Sequence, residues 1–302
     1  MSVQGLSKDE KWPRAHTLFD KSLNNADFAL LGIPAYKTSL SSTSAHLTPA
    51  TVREALTRYS TFAESTSSDL RSLSMTDLGD IDSPDFVDGE NRVAKFAADL
   101  LNKHKMILAL GGDNSITYSL AKGLWNDLQN IGVITFDAHH DLRDGESNGS
   151  PIWRLMQAGL PGKNIVQIGI ADFANSSEYA DRAKEHGITV ITRAEMRTVT
   201  MPEIIHKALD IAGMQGREIY VDVDVDVCDR SVAPACPASL PGGISADELR
   251  HGVRLIASDN RVRALDITEI DASIDTDDQR TVRLAALLVL EAAAGLASRK
   301  AL

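Results

Sequence analysis

Short, continuous apolar runs alternate along the chain with longer stretches in which apolar residues recur every three or four positions. The short runs predict strands at 28–33, 106–110, 132–136, 165–170, 188–191, 218–225 and 262–267. The longer stretches predict helices near 49–60, 89–104, 115–128, 174–186, 202–214, 245–258 and 279–298. Pro49, Ser115 and Pro202 fit helix starts, and Ser245 followed by Glu248 fits a capping box. Regular alternation of strand and helix implies right-handed crossovers and a mainly parallel sheet. Runs such as Met106 to Leu110 show no polar alternation, so the sheet should carry helices on both faces, in an α/β/α arrangement of three layers. No repeat or long linker interrupts the pattern, and a single domain over 1–302 is expected. The segments 61–88 and 142–150 read as loops. In such folds ligands sit beyond the carboxyl ends of the strands.

Composition narrows the partners. The formal net charge of the 302 residues is -11, which argues against nucleic acid or an anionic membrane surface as a partner. Cys228 and Cys236 form no CxxC pair or disulfide framework, and a reducing, cytoplasmic setting fits them. Residues 1–22 are polar and carry no signal-peptide core. The apolar run from Leu284 to Ala297 is broken by Glu291 and is too short to span a bilayer. It reads as a core or interface helix.

Acidic residues mark the ends of two of the strands. Asp137, His139 and Asp141 follow 132–136 at a spacing of two, which puts all three on one face of an extended segment. Asp222, Asp224 and Asp226 alternate with valines in the same way. Aspartate is a poor strand former. Two carboxylates about 7 Å apart repel by roughly 2–3 kcal/mol at an effective dielectric near 20. A stable fold then needs compensating cations, protonation or exposure, and divalent metal is the economical answer for several carboxylates with an imidazole. Carboxylate and imidazole without thiolate suit manganese better than zinc, iron, cobalt or nickel.

These motifs resemble the arginase–agmatinase–formiminoglutamase family, the ureohydrolases. The resemblance runs from about 28 to 298. It is carried by Leu31-Gly-Ile-Pro34, Pro49 to Ala55, Gly111-Gly-Asp-Asn-Ser115, Asp137 to Asp141, Asp224 to Asp229 with Pro234 and Pro241-Gly-Gly243, and Asp266-Ile-Thr-Glu269. It implies an arginase-like fold, a homo-oligomer (trimer or hexamer) and a binuclear manganese centre that activates water. By position, Asp137 and Asp224 would bridge the two ions. Asp141 and Asn114 would belong to one site, and His139 and Asp226 to the other. Glu269 would hold the amidine end of a substrate, and Asp141 would also accept a proton from water. The family commonly has histidine where Asn114 stands, and a neutral amide is the weaker ligand, so that metal site is expected to be weak. Many members also have histidine where Asn148 precedes Gly149.

Other residues have plainer readings. His140 should face away from Asp137. His104, His186, His206 and His251 fall on or beside predicted helices and read as surface or satisfied residues. Gly111-Gly112 lacks the lysine of a phosphate loop. The segment from Leu142 to Pro151 most resembles formiminoglutamases. Arg143, and after it Arg154, would pair with a substrate carboxylate, with Asn148 lining the same loop. A surface ion pair of Arg143 with Asp144 or Glu146 is the competing arrangement. The resulting expectation is hydrolysis of N-formimino-L-glutamate to L-glutamate and formamide. A guanidino-compound amidinohydrolase such as agmatinase, and a non-catalytic binding protein, are the alternatives.

Overall fold

In the computed structural model, which describes residues 9–299, the apolar runs become strands of one sheet. The expected domain 1–302 and the start of the polar segment 1–22 extend beyond the described residues. The strands are β1 (Ala26–Ile33), β2 (Phe62–Ala63), β3 (Ser68–Asp69), β4 (Met75–Asp80), β5 (His104–Gly111), β6 (Ile131–Phe136), β7 (Ile165–Ile170), β8 (Thr189–Thr192), β9 (Glu218–Asp224) and β10 (Val262–Thr268). Eight of them pair in the order β4-β1-β5-β10-β9-β6-β7-β8. Every pairing in that sheet is parallel. β2 and β3 form a separate antiparallel pair.

The helices are α1 (Thr48–Ala55), α2 (Phe86–Ala97), α3 (Leu100–Lys103), α4 (Ile116–Leu124), α5 (Pro151–Gln157), α6 (Ser177–Glu185), α7 (Met201–Ala212), α8 (Ala246–Ala257) and α9 (Arg280–Ala297). One core layer joins Val52 of α1, Ile204 of α7, Val253 of α8 and Leu288 of α9 to one face of the sheet. The other joins Val93 of α2, Leu120 of α4, Ile152 of α5 and Ala183 of α6 to the opposite face. This is the expected three-layer α/β/α fold. Glu291, which interrupts the apolar run of α9, is buried and gripped by Arg250 and Arg254 of α8 at 2.7 and 2.5 Å. No helix among the described residues is long and apolar enough to cross a membrane.

Two local expectations are corrected, and one helix was not anticipated. The segment 61–88 is not all loop, because it contains the edge strand β4 and the small hairpin. β4 reads Met-Thr-Asp-Leu-Gly-Asp, a composition unfavourable to strands. It forms because Arg53 of α1 donates 2.9 Å hydrogen bonds to both carboxylate oxygens of Asp77 and reaches the Gly79 carbonyl. α5 follows the 142–150 segment, with Pro151 in its first turn. His104 opens a strand rather than a helix, buried and within 3.2 Å of the Ala26 carbonyl.

Arg53 thus ties the edge strand to the core, and Asp77 is buried. Arg53→Ala would strand that carboxylate and should cost about 3 kcal/mol. Urea unfolding measures this. A loss below about 1 kcal/mol would show that β4 is held by its backbone pairing alone.

Candidate metal centre

β5, β10, β9 and β6 are neighbours in the sheet, so their carboxyl ends form one continuous edge. After β5 the chain turns through Gly112, where a Cβ would lie 1.7 Å from the Ala35 carbonyl oxygen. Only glycine permits that approach, and it delivers Asn114 to the edge. Asp141 and Glu269 sit at φ 53° and 63°, in the left-handed region. Such backbone is costly for residues other than glycine and concentrates at functional sites.

Asp137, Asp141, Asp224, Asp226, Glu269 and Asn114 are all buried. Side chain to backbone bonds fix the aspartates. Asp137 accepts from the His139 amide at 2.6 Å, Asp224 from the Asp226 amide at 2.8 Å, and Asp226 from the Ala138 amide at 2.9 Å. His139 Nδ1 lies 2.6 Å from Asp226. His140 turns away from this group, as expected, and its ring contacts the Gln167 amide at 2.7 Å. Gln167 in turn donates to the His140 carbonyl at 2.8 Å, which pins the motif's backbone.

Glu269 accepts from the Asn114 amide at 2.8 Å and from the Asn148 side chain at 2.9 Å, both on Oε1. Asn148 is itself held by the Leu40 amide at 2.9 Å. A cleft of about 320 Å³ opens over these groups; its walls include His139, Asp141, Arg143, Asn148, Asp224, Asp226 and Glu269. Arg143 is exposed at its mouth. The competing surface pairs do not form. Asp144 pairs with Arg182 at 2.9 Å, and Glu146 lies 4.0 Å from Arg154.

One expected site residue is placed differently. Arg154 does not line the cleft. It lies on α5, where Glu90 holds it at 2.5 and 2.8 Å and the Tyr118 ring stacks 3.8 Å away. Asn114 reaches the edge as expected, with its NH2 2.6 Å from Asp141 Oδ2 and its Oδ1 near the Thr117 and Thr268 hydroxyls. A carboxylate only accepts hydrogen bonds, so the amide turns its nitrogen toward Asp141. Asn175 and Tyr179 in the cleft wall, and Arg182, which donates to the Leu142 carbonyl, were not anticipated. Their contacts join segments distant in sequence and leave no local signal.

The electrostatics call for cations. Burial, and then the neighbouring carboxylates, push the carboxyls of Asp137 and Asp224 well above the usual range. Burial raises Asp141 to about 7, with Asp226 adding to the shift, and Glu269 to about 8, helped by Asp113. Burial works against a charged His139, but Asp226 and the other carboxylates prevail and raise its imidazole to about 9. Asp137 Oδ2 is buried without a hydrogen-bond partner. Asp137, His139 and Asp226 can each offer an atom within 4.8 Å of one another, and so can Asp137, Asp141 and Asp222. Two oxygen-rich donor sets that share Asp137 fit a pair of divalent cations. Buried Cys228 and Cys236 stand outside both sets, and burial pushes their thiols up.

The Arginase family model matches residues 26–295. The chain belongs to the arginase family. It is 37% identical over 272 residues to the formimidoylglutamase of Halalkalibacterium halodurans, covering 87% of this chain and 85% of that one. It superposes with a TM-score of 0.92 on the crystal structure of formimidoylglutamase from Bacillus subtilis, at 34% identity, over 99% of this chain and 96% of that one. The Trypanosoma cruzi formiminoglutamase solved with Mn2+ shares the fold, with a TM-score of 0.87 at 22% identity, over 96% of this chain and 100% of that chain.

A carboxyl with a raised folded pKa keeps its proton in the folded chain after the unfolded chain has lost it. These groups therefore withdraw stability from the metal-free protein as pH rises from near 3.8, the ordinary Asp value, to about 8, where Glu269 ionises. Divalent cations replace the protons, and charged His139 must give up its own. Saturating Mn2+ should therefore raise Tm more at pH 8 than at pH 6. A larger rise at pH 6, in thermal scans of chelator-treated protein, would contradict this.

Proposed function

We propose that this protein hydrolyses N-formimino-L-glutamate to L-glutamate and formamide at a two-manganese centre. Its place in the arginase family and the name borne by its similar relatives support the reaction. One observation carries the substrate. Arg143 stands at the mouth of the cleft that holds Asp141 and Glu269, with no carboxylate partner among the described residues. A guanidinium placed there suits a substrate carboxylate, which it can bind in bidentate fashion. The same charge would repel the cationic tail of agmatine.

Asn114, Asp137, His139, Asp141, Asp224 and Asp226 are the residues that would hold the ions. When bound, manganese lowers the pKa of water so that it serves as a nucleophile near neutral pH. The chain's own groups do the rest. Glu269 spends Oε1 on Asn114 and Asn148, which leaves Oε2 to accept an N–H of the formimino group. Asn148 fixes that carboxylate from the loop side. Water oxygen adds to the formimino carbon. Asp141 accepts the water's proton and passes it to the glutamate nitrogen. The C–N bond then breaks, and formamide and glutamate leave. A cytoplasmic setting and a homo-oligomer belong to the same reading. Two free, buried cysteines agree with the former.

Manganese-loaded protein, offered formiminoglutamate, arginine, agmatine and guanidinobutyrate, should release formamide from the first. Urea as the main product would make it a guanidino-compound hydrolase. Less than one tightly held metal per chain, with no turnover on any of them, would make it a binding protein. Arg143→Ala should raise KM for formiminoglutamate by about 10- to 100-fold, the loss of a charged hydrogen-bonded contact, with little change in kcat. An unchanged KM would remove Arg143 from the substrate site.

A further inference from the structure

We propose that Arg182 is a positioning residue for Arg143: it claims the Asp144 carboxylate and so keeps the Arg143 guanidinium open to a substrate. This rests on the reading above, in which Arg143 meets a substrate carboxylate.

Arg143 stands in a loop with acidic company. Asp144 is its chain neighbour, and Glu146 is three positions on. Their side chains are 73% and 63% exposed, so both are mobile enough to fold onto a nearby cation. Either contact would neutralise the charge at the mouth of the cleft. In the structure neither forms. Asp144 pairs with Arg182 at 2.9 Å, and Glu146 lies 4.0 Å from Arg154.

Arg182 can hold Asp144 because its own place does not depend on that pair. It lies on α6, with its Cζ 4.2 Å from the centroid of the Trp153 ring and 5.4 Å from that of Tyr179. Its Nη1 carries two N–H groups. One reaches the Leu142 carbonyl at 2.6 Å and the other Asp144 Oδ1 at 2.9 Å. An exposed ion pair usually contributes little, because two long side chains must be ordered to make it. Here stacking and the carbonyl order the guanidinium beforehand, and only Asp144 loses freedom.

Arg143 is placed by other contacts. Its amide donates to the Gly149 carbonyl at 3.0 Å. Its stem crosses Gly149, where a Cβ would lie 2.8 Å from Arg143 Cδ. Loss of Arg182 would therefore leave Arg143 at the cleft mouth with a released carboxylate beside it. The competing arrangement is an Arg182 that only braces α6 against α5, with no bearing on Arg143.

Steady-state kinetics of the manganese-loaded protein on formiminoglutamate tests this. Arg182→Ala should raise KM about 3- to 5-fold, the strength of an exposed ion pair that the substrate must now displace. The kcat should stay near native, because the groups on the strand edge are untouched. Adding Asp144→Asn should return KM to the native value. Arg182→Ala should add nothing to Arg143→Ala, since it acts through that residue. A native KM in Arg182→Ala, with KM raised in Arg143→Ala, would overturn the inference alone. A raised KM that Asp144→Asn leaves in place would also overturn it, since the fault would then lie in the shape of the loop. A native KM in Arg143→Ala would remove Arg143 from the substrate site, and this inference with it. Should Arg182→Ala fail to fold, Arg182→Met keeps an unbranched stem against Trp153 and carries the same comparisons.

Discussion

Repulsion among the carboxylates of Asp137, Asp141, Asp224 and Asp226 is the force around which the carboxyl edge of the sheet is organised. These side chains are nearly excluded from water. At an effective dielectric near 20, each neighbouring pair of charges opposes folding by a few kcal/mol. The rest of the molecule holds them together regardless. Two apolar layers clamp the strands from both faces. Backbone amides of Ala138, His139 and Asp226 take one oxygen from each of three aspartates, and the second oxygen of Asp226 meets His139.

Around that edge the loops act as a frame. Arg182 bonds the Leu142 carbonyl and Asp144 and stacks on Trp153 and Tyr179, so the 142–150 segment is fastened at its start. Asn148 bonds both Leu40 and Glu269 and closes its far end. Arg154, drawn to Glu90 and Tyr118, braces α5 against α2 and α4. Between these anchors Arg143 is left without a structural duty. That division of labour among three arginines separates a group available to ligand from groups that build the wall.

Much of this was legible in the sequence because it follows from local periodicity. Strands buried on both faces are continuous apolar runs, and the structure places β7 at 165–170, where the run predicts it. The alternation of Asp137, His139 and Asp141 revealed their common face. What stayed hidden depends on partners far along the chain. β4 reads as a loop until Arg53 neutralises Asp77. Arg154 reads as a substrate contact until Glu90, 64 positions earlier, claims it. The hydroxyls of Thr117 and Thr268 and the carboxylate of Asp141, which hold the Asn114 amide, also come from other elements of the chain.

The short turns that lock Asp137, Asp224 and Asp226 have a consequence for the life of the protein. In each, a backbone amide, not an ion, sets the direction of the side chain. The site is therefore shaped by folding itself, and loading can follow as a separate event. This differs from small zinc domains, where the metal is the nucleus of the fold. A chain of this kind can leave the ribosome, fold and wait. Any divalent ion that enters then meets side chains already aimed, and selection among metals falls to the donor set and not to the folding of the chain.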